Sequence, residues 1–204
     1  MRIISHRGFW KTPSEKNKEI AFLNSVNAGF GMETDLRDSS GEIVMSHDMP
    51  VGGEINFEDF CTIPGIKECL LALNIKSDGL AKIVKKLAIK HELKDWFVFD
   101  MSIPDMIAHI KVGNPIFTRL SDVEPTPSLL QHSVGIWLDA FYSEWFSTKD
   151  ILEYLRMDKK VCVVSPELHG RIPDTVWEKL YTIRDHEQLI LCTDFPDKAE
   201  VYFK

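Results

Sequence analysis

Two acidic residues near the start of the chain have a type and spacing that suit metal chemistry. Glu33 and Asp35 are two positions apart in an apolar run, so in a β-strand both side chains point to the same side of the sheet. Two carboxylates in a low-dielectric site repel each other unless a cation lies between them, and oxygen-only ligation suits Mg²⁺ or Ca²⁺. A pair of surface acids on a half-exposed strand is the alternative, and the spacing alone does not choose between the two.

Two histidines in the same part of the chain suit proton transfer. His6 ends the first apolar run and precedes Arg7-Gly8, where glycine permits a close approach of the backbone to a ligand. His47 is followed by Asp48, a pairing that fits either a catalytic group or a surface turn. Imidazoles on opposite sides of a substrate can remove one proton and deliver another near neutral pH.

The elements that must position these residues are short apolar runs alternating with stretches of helical periodicity. Such alternation predicts a parallel sheet covered by helices. The predicted strands are Arg2–Ser5, Gly31–Leu36, Glu42–Ser46, Leu70–Ile75, Trp96–Phe99, Pro115–Thr118, Val134–Leu138, Lys160–Ser165 and Leu189–Cys192. The predicted helices are Lys18–Ala28, Leu80–His91, Pro104–Val112, Ser147–Met157 and Asp174–Asp185, with a weak helical turn at Thr126–Gln131.

One of these strands does not begin a new strand–helix unit. Glu42–Ser46 directly follows Ser39-Ser40-Gly41 and is predicted to form a hairpin with the preceding strand. The remaining eight strands in 204 residues predict an α/β fold, a single compact (β/α)8 TIM barrel forming one domain over residues 1–204. A doubly wound open sheet is the competing architecture.

Polar residues end every one of these eight strands. They are His6, Glu33 with Asp35, Asn74 with Lys76, Asp100, Arg119, Asp139, Glu167 and Asp194. In a barrel, the carboxyl ends of the strands form the mouth where catalytic groups are found.

Composition excludes several classes of function. The 24 Lys and Arg against 31 Asp and Glu give a net charge of −7, which disfavours nucleic acid as a partner. The basic run from Lys82 to Lys90 is interpreted as a solvated helix face. The four cysteines form no C-x-x-C pair, and no apolar stretch reaches the ~18 residues of a membrane span. The chain starts without a signal-peptide pattern, so we expect a cytoplasmic protein acting on a small molecule.

Three blocks of sequence resemble the glycerophosphodiester phosphodiesterases, a family of phospholipase-C-like TIM barrels. His6-Arg7-Gly8 resembles the opening H-R-G of that family. Glu33-Thr34-Asp35 together with Gly41–Asp48 resembles its E-x-D and D-G-x-x-V-x-x-H-D stretch. Cys192–Pro196 resembles the T-D-x-P after its last strand. The middle of the chain, Met101 to Asp158, matches only as strand–helix alternation.

The resemblance implies a metal-dependent phosphodiesterase of lipid metabolism that hydrolyses a small glycerol- or sugar-linked phosphodiester. By similarity, Glu33 and Asp35 hold one divalent cation, Mg²⁺ or Ca²⁺. His6 and His47 act as general base and general acid. Arg7 and Lys76 contact the phosphate.

Two departures from the family pattern bear on this expectation. Asn74 replaces a carboxylate in the family's E-x-K, so the third metal ligand is either the Asn74 amide oxygen or a carboxylate such as Glu167 or Asp139. The family's P-E-N-T is reduced to Asn17 behind Pro13. A barrel that binds phosphorylated ligands without turnover is therefore the alternative. An amidohydrolase is disfavoured, because the first strand lacks H-x-H.

Overall fold

The computed structural model describes residues 1–204, which form nine strands and seven α-helices. The strands are β1 Arg2–His6, β2 Gly31–Ser39, β3 Glu42–Met45, β4 Leu70–Ile75, β5 Asp95–Phe99, β6 Phe117–Leu120, β7 Gly135–Leu138, β8 Lys160–Val164 and β9 Leu189–Thr193. The helices are α1 Glu19–Ala28, α2 Phe57–Thr62, α3 Ala81–Lys90, α4 Ile103–Lys111, α5 Thr148–Arg156, α6 Asp174–Tyr181 and α7 Pro196–Phe203.

The chain divides into two compact units. Ser5–Ile116 is called here the N-terminal unit, and Met1–Ile4 together with Phe117–Lys204 is called the C-terminal unit. In the N-terminal unit β2, β4 and β5 are parallel neighbours, and Asp35 on β2 pairs in register with Asn74 on β4. In the C-terminal unit β6, β7, β8 and β9 form a parallel array in chain order.

The strand β3 forms the predicted hairpin with β2. The two strands are antiparallel, with Leu36 opposite Met45 and Ser39 opposite Glu42. Ser40 and Gly41 make the turn with positive φ angles of 51° and 87°. Because the hairpin folds back along β2, it returns the residues that follow Met45 to a position beside Asp35, and the Ser46 amide donates to the Asp35 carbonyl at 3.0 Å.

Each unit has its own buried apolar packing. In the N-terminal unit Phe22 of α1 and Phe60 of α2 meet edge to face, with ring centroids 4.8 Å apart. In the C-terminal unit, buried apolar residues of the strands pack against Ile151, Trp177 and Leu180 from its helices. The polar residues near the carboxyl ends of the strands are not part of this apolar packing.

Most predicted elements are confirmed within a residue or two, and the differences have local causes. Strand β6 begins at Phe117 instead of Pro115, since proline has no N–H to donate to a strand ladder. Helix α6 ends at Tyr181, four residues before the predicted end. Leu130–His132 forms only a short 3-10 turn where a helical turn was predicted over Thr126–Gln131.

Two helices were not predicted. Helix α2 has six residues, too few for periodicity to be recognised, and it begins where the Asn56 side chain accepts a hydrogen bond from the Glu58 amide. Helix α7 begins with Pro196, a residue favoured at the first position of a helix.

The predicted fold class is confirmed. Eight parallel strands are joined through helices, except that only the short 3-10 turn lies between β6 and β7, and β3 is the hairpin arm. This is the α/β arrangement of the TIM-barrel class. None of the seven helices is both long enough and apolar enough to cross a membrane.

Candidate active site

The site in the N-terminal unit starts from the turn that follows β1. Arg7 has a φ of 58°, in the left-handed region that non-glycine residues rarely adopt. Its amide donates a hydrogen bond to Glu33 Oε2 at 3.1 Å, and its carbonyl accepts one from the Asn17 amide at 3.0 Å. These two bonds on either side of Arg7 stabilise the unusual backbone and attach the turn to β2.

Gly8 serves this turn in a different way from the one the sequence predicts. Its φ is 82°, and a Cβ at this position would lie 2.8 Å from the Cβ of Ala21 and 2.9 Å from its carbonyl carbon. The next amide, that of Phe9, donates to the Ala21 carbonyl at 3.0 Å. Glycine is thus required by the close packing of the turn on α1.

Glu33 and Asp35 are buried and point to the same side of β2. Both contact Arg7, because the Arg7 Nε lies 3.1 Å from Asp35 Oδ2 while the Arg7 amide binds Glu33. Lys76 Nζ lies 3.3 Å from Asp35 Oδ1, and His6 Nε2 lies 3.9 Å from Glu33 Oε2. Glu33 is 1% exposed and Asp35 is 0% exposed, which excludes a pair of surface acids.

The surroundings shift the pKa values of the two carboxyl groups in opposite directions. Burial, followed by the negative charge of Asp35, raises the pKa of Glu33 well above its usual range. Burial alone would also raise the pKa of Asp35, but the charges of Lys76 and Arg7 and the hydrogen bond from Asn17 hold it below its usual range. Asp35 is therefore the ionised member of the pair, and Glu33 is the carboxyl whose ionisation needs additional positive charge.

Asn17 is a site residue to which the sequence analysis assigned no role. Its side-chain amide donates to Asp35 Oδ2 at 2.8 Å, and its side-chain oxygen accepts from the Thr34 hydroxyl at 2.9 Å. With its own amide bonded to the Arg7 carbonyl, Asn17 joins the β1 turn to β2. The only signal for it in the sequence was its survival from the family's P-E-N-T pattern.

Asn74 provides oxygen beside the carboxylate pair. It is 7% exposed, and its side-chain amide donates to Asp100 Oδ2 at 3.1 Å. Its Oδ1 is buried without a hydrogen-bond donor, and so is Asp35 Oδ1, which has only the ion-pair contact with Lys76.

The donor set of Glu33, Asp35 and Asn74 fits a hard divalent cation. It consists of two carboxylates and an amide oxygen, and two of its oxygen atoms are buried without a hydrogen bond. No group of three or more His, Cys, Asp or Glu side chains in residues 1–204 is arranged to hold a metal ion.

His47 borders the same region at the surface. Its Nδ1 lies 2.9 Å from Asp48 Oδ1, its side chain is 42% exposed, and its carbonyl accepts a hydrogen bond from Arg37 at 3.1 Å. Together with Arg7 it lines a cavity of about 370 Å³.

Glu167 and Asp139 lie in the C-terminal unit, and each has its own set of hydrogen-bond partners. Glu167 accepts hydrogen bonds from the Ser165 hydroxyl, the Thr193 hydroxyl and, at 3.1 Å, the Asp194 amide. Asp139 Oδ1 accepts from the Ala140 amide at 2.8 Å and lies 2.7 Å from His169 Nε2. A metal-binding role for Glu167 or Asp139 stays a prediction.

Comparison with known proteins finds similarity in structure alone. No protein-family model matches the sequence, and no curated protein matches it. A candidate glycerophosphodiester phosphodiesterase from Galdieria sulphuraria is similar with a TM-score of 0.77 and 16% identity, over 99% of this chain and 97% of that one. The glycerophosphodiester phosphodiesterase from Agrobacterium tumefaciens str. C58 is similar with a TM-score of 0.73 and 17% identity, over 99% and 98% of the two chains.

A third solved structure agrees. The glycerophosphoryl diester phosphodiesterase from Parabacteroides distasonis ATCC 8503 is similar with a TM-score of 0.61 and 15% identity, over 98% of this chain and 85% of that one. The chain is thus a TIM-barrel protein with a buried carboxylate pair at its strand ends. More particularly, it has the fold of the glycerophosphodiester phosphodiesterases, and the predicted resemblance to that family is confirmed at the level of the fold.

Proposed function

We propose that this chain is a phosphoric diester hydrolase that cleaves a small glycerol- or sugar-linked phosphodiester. The observation that carries the proposal is the convergence of His6, Arg7 and Lys76 on the buried Glu33–Asp35 pair. A phosphodiesterase needs cationic side chains to bind the phosphate and a group that transfers a proton. Arg7 and Lys76 can serve the first purpose, and His6 can serve the second. The neighbours described as glycerophosphodiester phosphodiesterases share the fold and add support.

Glu33, Asp35 and Asn74 are the residues that would hold a divalent cation, either Mg²⁺ or Ca²⁺. When bound, the cation would neutralise charge on the phosphate oxygens during cleavage. Positive charge at this position would also lower the raised pKa of Glu33, because it opposes the repulsion from Asp35. The proposal thus accounts for two buried acids on one side of a strand.

Arg7 and Lys76 bind the non-bridging phosphate oxygens. Their side chains are 22% and 19% exposed, so they lie between the buried carboxylates and the solvent from which the diester arrives. The planar guanidinium of Arg7 suits two oxygens of one phosphate. Asn17 keeps Asp35 oriented while these contacts form.

The two histidines transfer the protons. His6 accepts the proton of the attacking hydroxyl or water as the P–O bond forms, and its Nε2 lies 3.9 Å from Glu33 Oε2. His47 donates a proton to the departing alkoxide as the other P–O bond breaks. Its Nδ1 lies 2.9 Å from Asp48 Oδ1, which leaves Nε2 for the substrate.

Hydrolysis assays with and without metal test this proposal. Glycerophosphodiesters and bis(p-nitrophenyl) phosphate would be incubated with the protein in Mg²⁺, in Ca²⁺ and in EDTA. We expect turnover with one of the two cations and its loss in EDTA. Full activity in EDTA would remove the cation from the proposal, and no turnover under any condition would contradict hydrolysis.

Binding without turnover is the second candidate function. The observation in its favour is that Asp35 already carries two cationic partners while Asn74 stands where a carboxylate is expected. It predicts calorimetric binding of glycerol 3-phosphate with no hydrolysis of any diester.

A further inference from the structure

The cavity of about 370 Å³ lined by Arg7 and His47 can hold part of the substrate in the proposed reaction. Its lining comes from two stretches of the N-terminal unit, residues 7–18 and 45–54. Under the proposed function the phosphate lies at Arg7, so the adjoining cavity receives one of the two alcohol arms of the diester. Its volume suits a small polar alcohol.

One wall of this cavity is basic. Lys16 and Lys18 both line it, on either side of Asn17. The Lys16 Nζ lies 4.4 Å from the centre of the Trp10 ring, and the Trp10 indole N–H donates to the His6 carbonyl at 3.1 Å. The ammonium group of Lys16 is thereby positioned relative to the strand end that carries a catalytic histidine.

The same lining contains two acids that have contacts within their own loop. The Glu54 carboxylate accepts hydrogen bonds from the Val51 amide at 2.8 Å and from the Gly52 amide at 3.0 Å. Asp48 pairs with His47. The hydrogen bond from Val51 and, to a smaller extent, the charge of Lys18 lower the pKa of Glu54, so Lys18 and Glu54 offset each other in part. The lining as a whole still carries three cationic side chains, Arg7, Lys16 and Lys18, against these two carboxylates.

We propose that Lys16, supported by Lys18, forms a subsite for an anionic group on the alcohol arm. The preferred diester is then one whose alcohol carries a carboxylate. This inference rests on the proposed function and specifies its substrate class. A partly exposed ion pair of this kind corresponds to a preference of about three- to five-fold.

Two diesters that differ only in a carboxylate give the sharpest test. Glycerophosphoserine and glycerophosphoethanolamine are that pair, and kcat/KM would be measured for both, with calorimetric affinities in parallel. The variants are Lys16→Met, which keeps an apolar side chain over Trp10, and Lys11→Met as a control. Lys11 is exposed, lies in the same turn and does not line the cavity.

The wild type should prefer the serine diester, and Lys16→Met should reduce this preference about three- to five-fold through KM. Lys11→Met should leave it unchanged. Equal use of the two diesters by the wild type, or an unchanged preference in Lys16→Met, overturns the subsite. Failure of the proposed function differs from this, because no variant would then turn over either diester or bis(p-nitrophenyl) phosphate. The ratio of calorimetric affinities would in that case decide the subsite by the same criterion.

Discussion

The strand ends of the two units carry similar acids in very different surroundings. In the N-terminal unit, Glu33 and Asp35 lie among cationic side chains, and Asp35 Oδ1 accepts no hydrogen bond. In the C-terminal unit, Glu167 accepts from two hydroxyls and one amide, and Asp139 from an amide and a histidine. Asp35 has cationic partners and an oxygen that accepts no hydrogen bond, whereas both oxygens of Glu167 accept from neighbouring hydroxyl and amide groups.

This difference separates a reactive site from a structural network. A carboxylate whose oxygens are all used by neutral donors stabilises the fold, and recruiting it for a ligand would break those bonds. A carboxylate that is paired with partly exposed cationic side chains can exchange one of them for a ligand. We therefore expect the chemistry at Glu33 and Asp35 and a structural role for the hydrogen bonds of Glu167.

Asp35→Asn should have the largest effect. It removes the charge opposite Arg7 and Lys76 and one ligand of the proposed cation, so kcat/KM should fall about 10²–10³-fold, the size of loss seen when a key electrostatic group is removed. The free energy of unfolding should fall by only about 1–3 kcal/mol, because Arg7 and Lys76 both reach solvent. Urea unfolding and steady-state kinetics measure the two quantities. Asp38→Asn, an exposed change on the same strand, is the control, and equal losses in both variants would contradict the assignment.

The histidines should differ in their dependence on the leaving group. A p-nitrophenolate needs little protonation, so His47→Ala should lose less than about ten-fold on that diester but about 10²–10³-fold on a glycerol-type diester. His6→Ala should lose about 10²-fold or more on both. Kinetics with substrates of graded leaving-group pKa would give these ratios. Equal losses of His47→Ala on both substrates would remove His47 as the acid.

Glu167→Ala should lower the stability of the protein while leaving its activity nearly unchanged, the opposite of what we expect for Asp35→Asn. It leaves two hydroxyls and the Asp194 amide without their acceptor, so the free energy of unfolding should fall by about 1–3 kcal/mol. Activity per folded molecule should stay within about three-fold of the wild type, a difference of under ~1 kcal/mol. A large loss of metal-dependent activity with unchanged stability would make Glu167 part of the site.

The smallest expected effect is a dependence of stability on pH at His109. Burial lowers the pKa of His109, although the facing Asp105 opposes this, and the Asn114 side chain lies 2.9 Å from its Nδ1. The unfolded chain therefore binds the proton more readily, so this contribution to stability is present above pH ~6.5 and is lost as the pH falls. The slope should not exceed about 1.4 kcal/mol per pH unit.

His109→Asn should flatten the dependence of unfolding free energy on pH between about 7 and 5, while His6→Ala serves as the comparison. Equal slopes for wild type and His109→Asn would show that the buried imidazole does not titrate with folding.

The sequence alone was enough for the fold and for part of the site. Parity along one strand predicted that Glu33 and Asp35 share a side, because side chains alternate in any strand. The sequence did not predict the role of Asn17, because its hydrogen bonds to Asp35 and to the Arg7 carbonyl depend on how the turn after β1 packs against β2. Glu167 carried the same strand-end signal as Asp35, and only the identity of its donors distinguishes it. Gly8 was predicted to permit a close approach of the backbone, but the sequence could not show that the approach is to Ala21, because that is a tertiary contact.

Anomalous scattering from crystals grown with Mn²⁺ and glycerol 3-phosphate would test the central assignment most directly. We expect one ion within about 2.0–2.6 Å of oxygens from Glu33, Asp35 and Asn74, the range for hard divalent cations. We also expect the phosphate to be bound by Arg7 and Lys76. An ion bound instead by Glu167 and Asp139, or a phosphate that avoids Arg7 in crystals containing the ion, would contradict it.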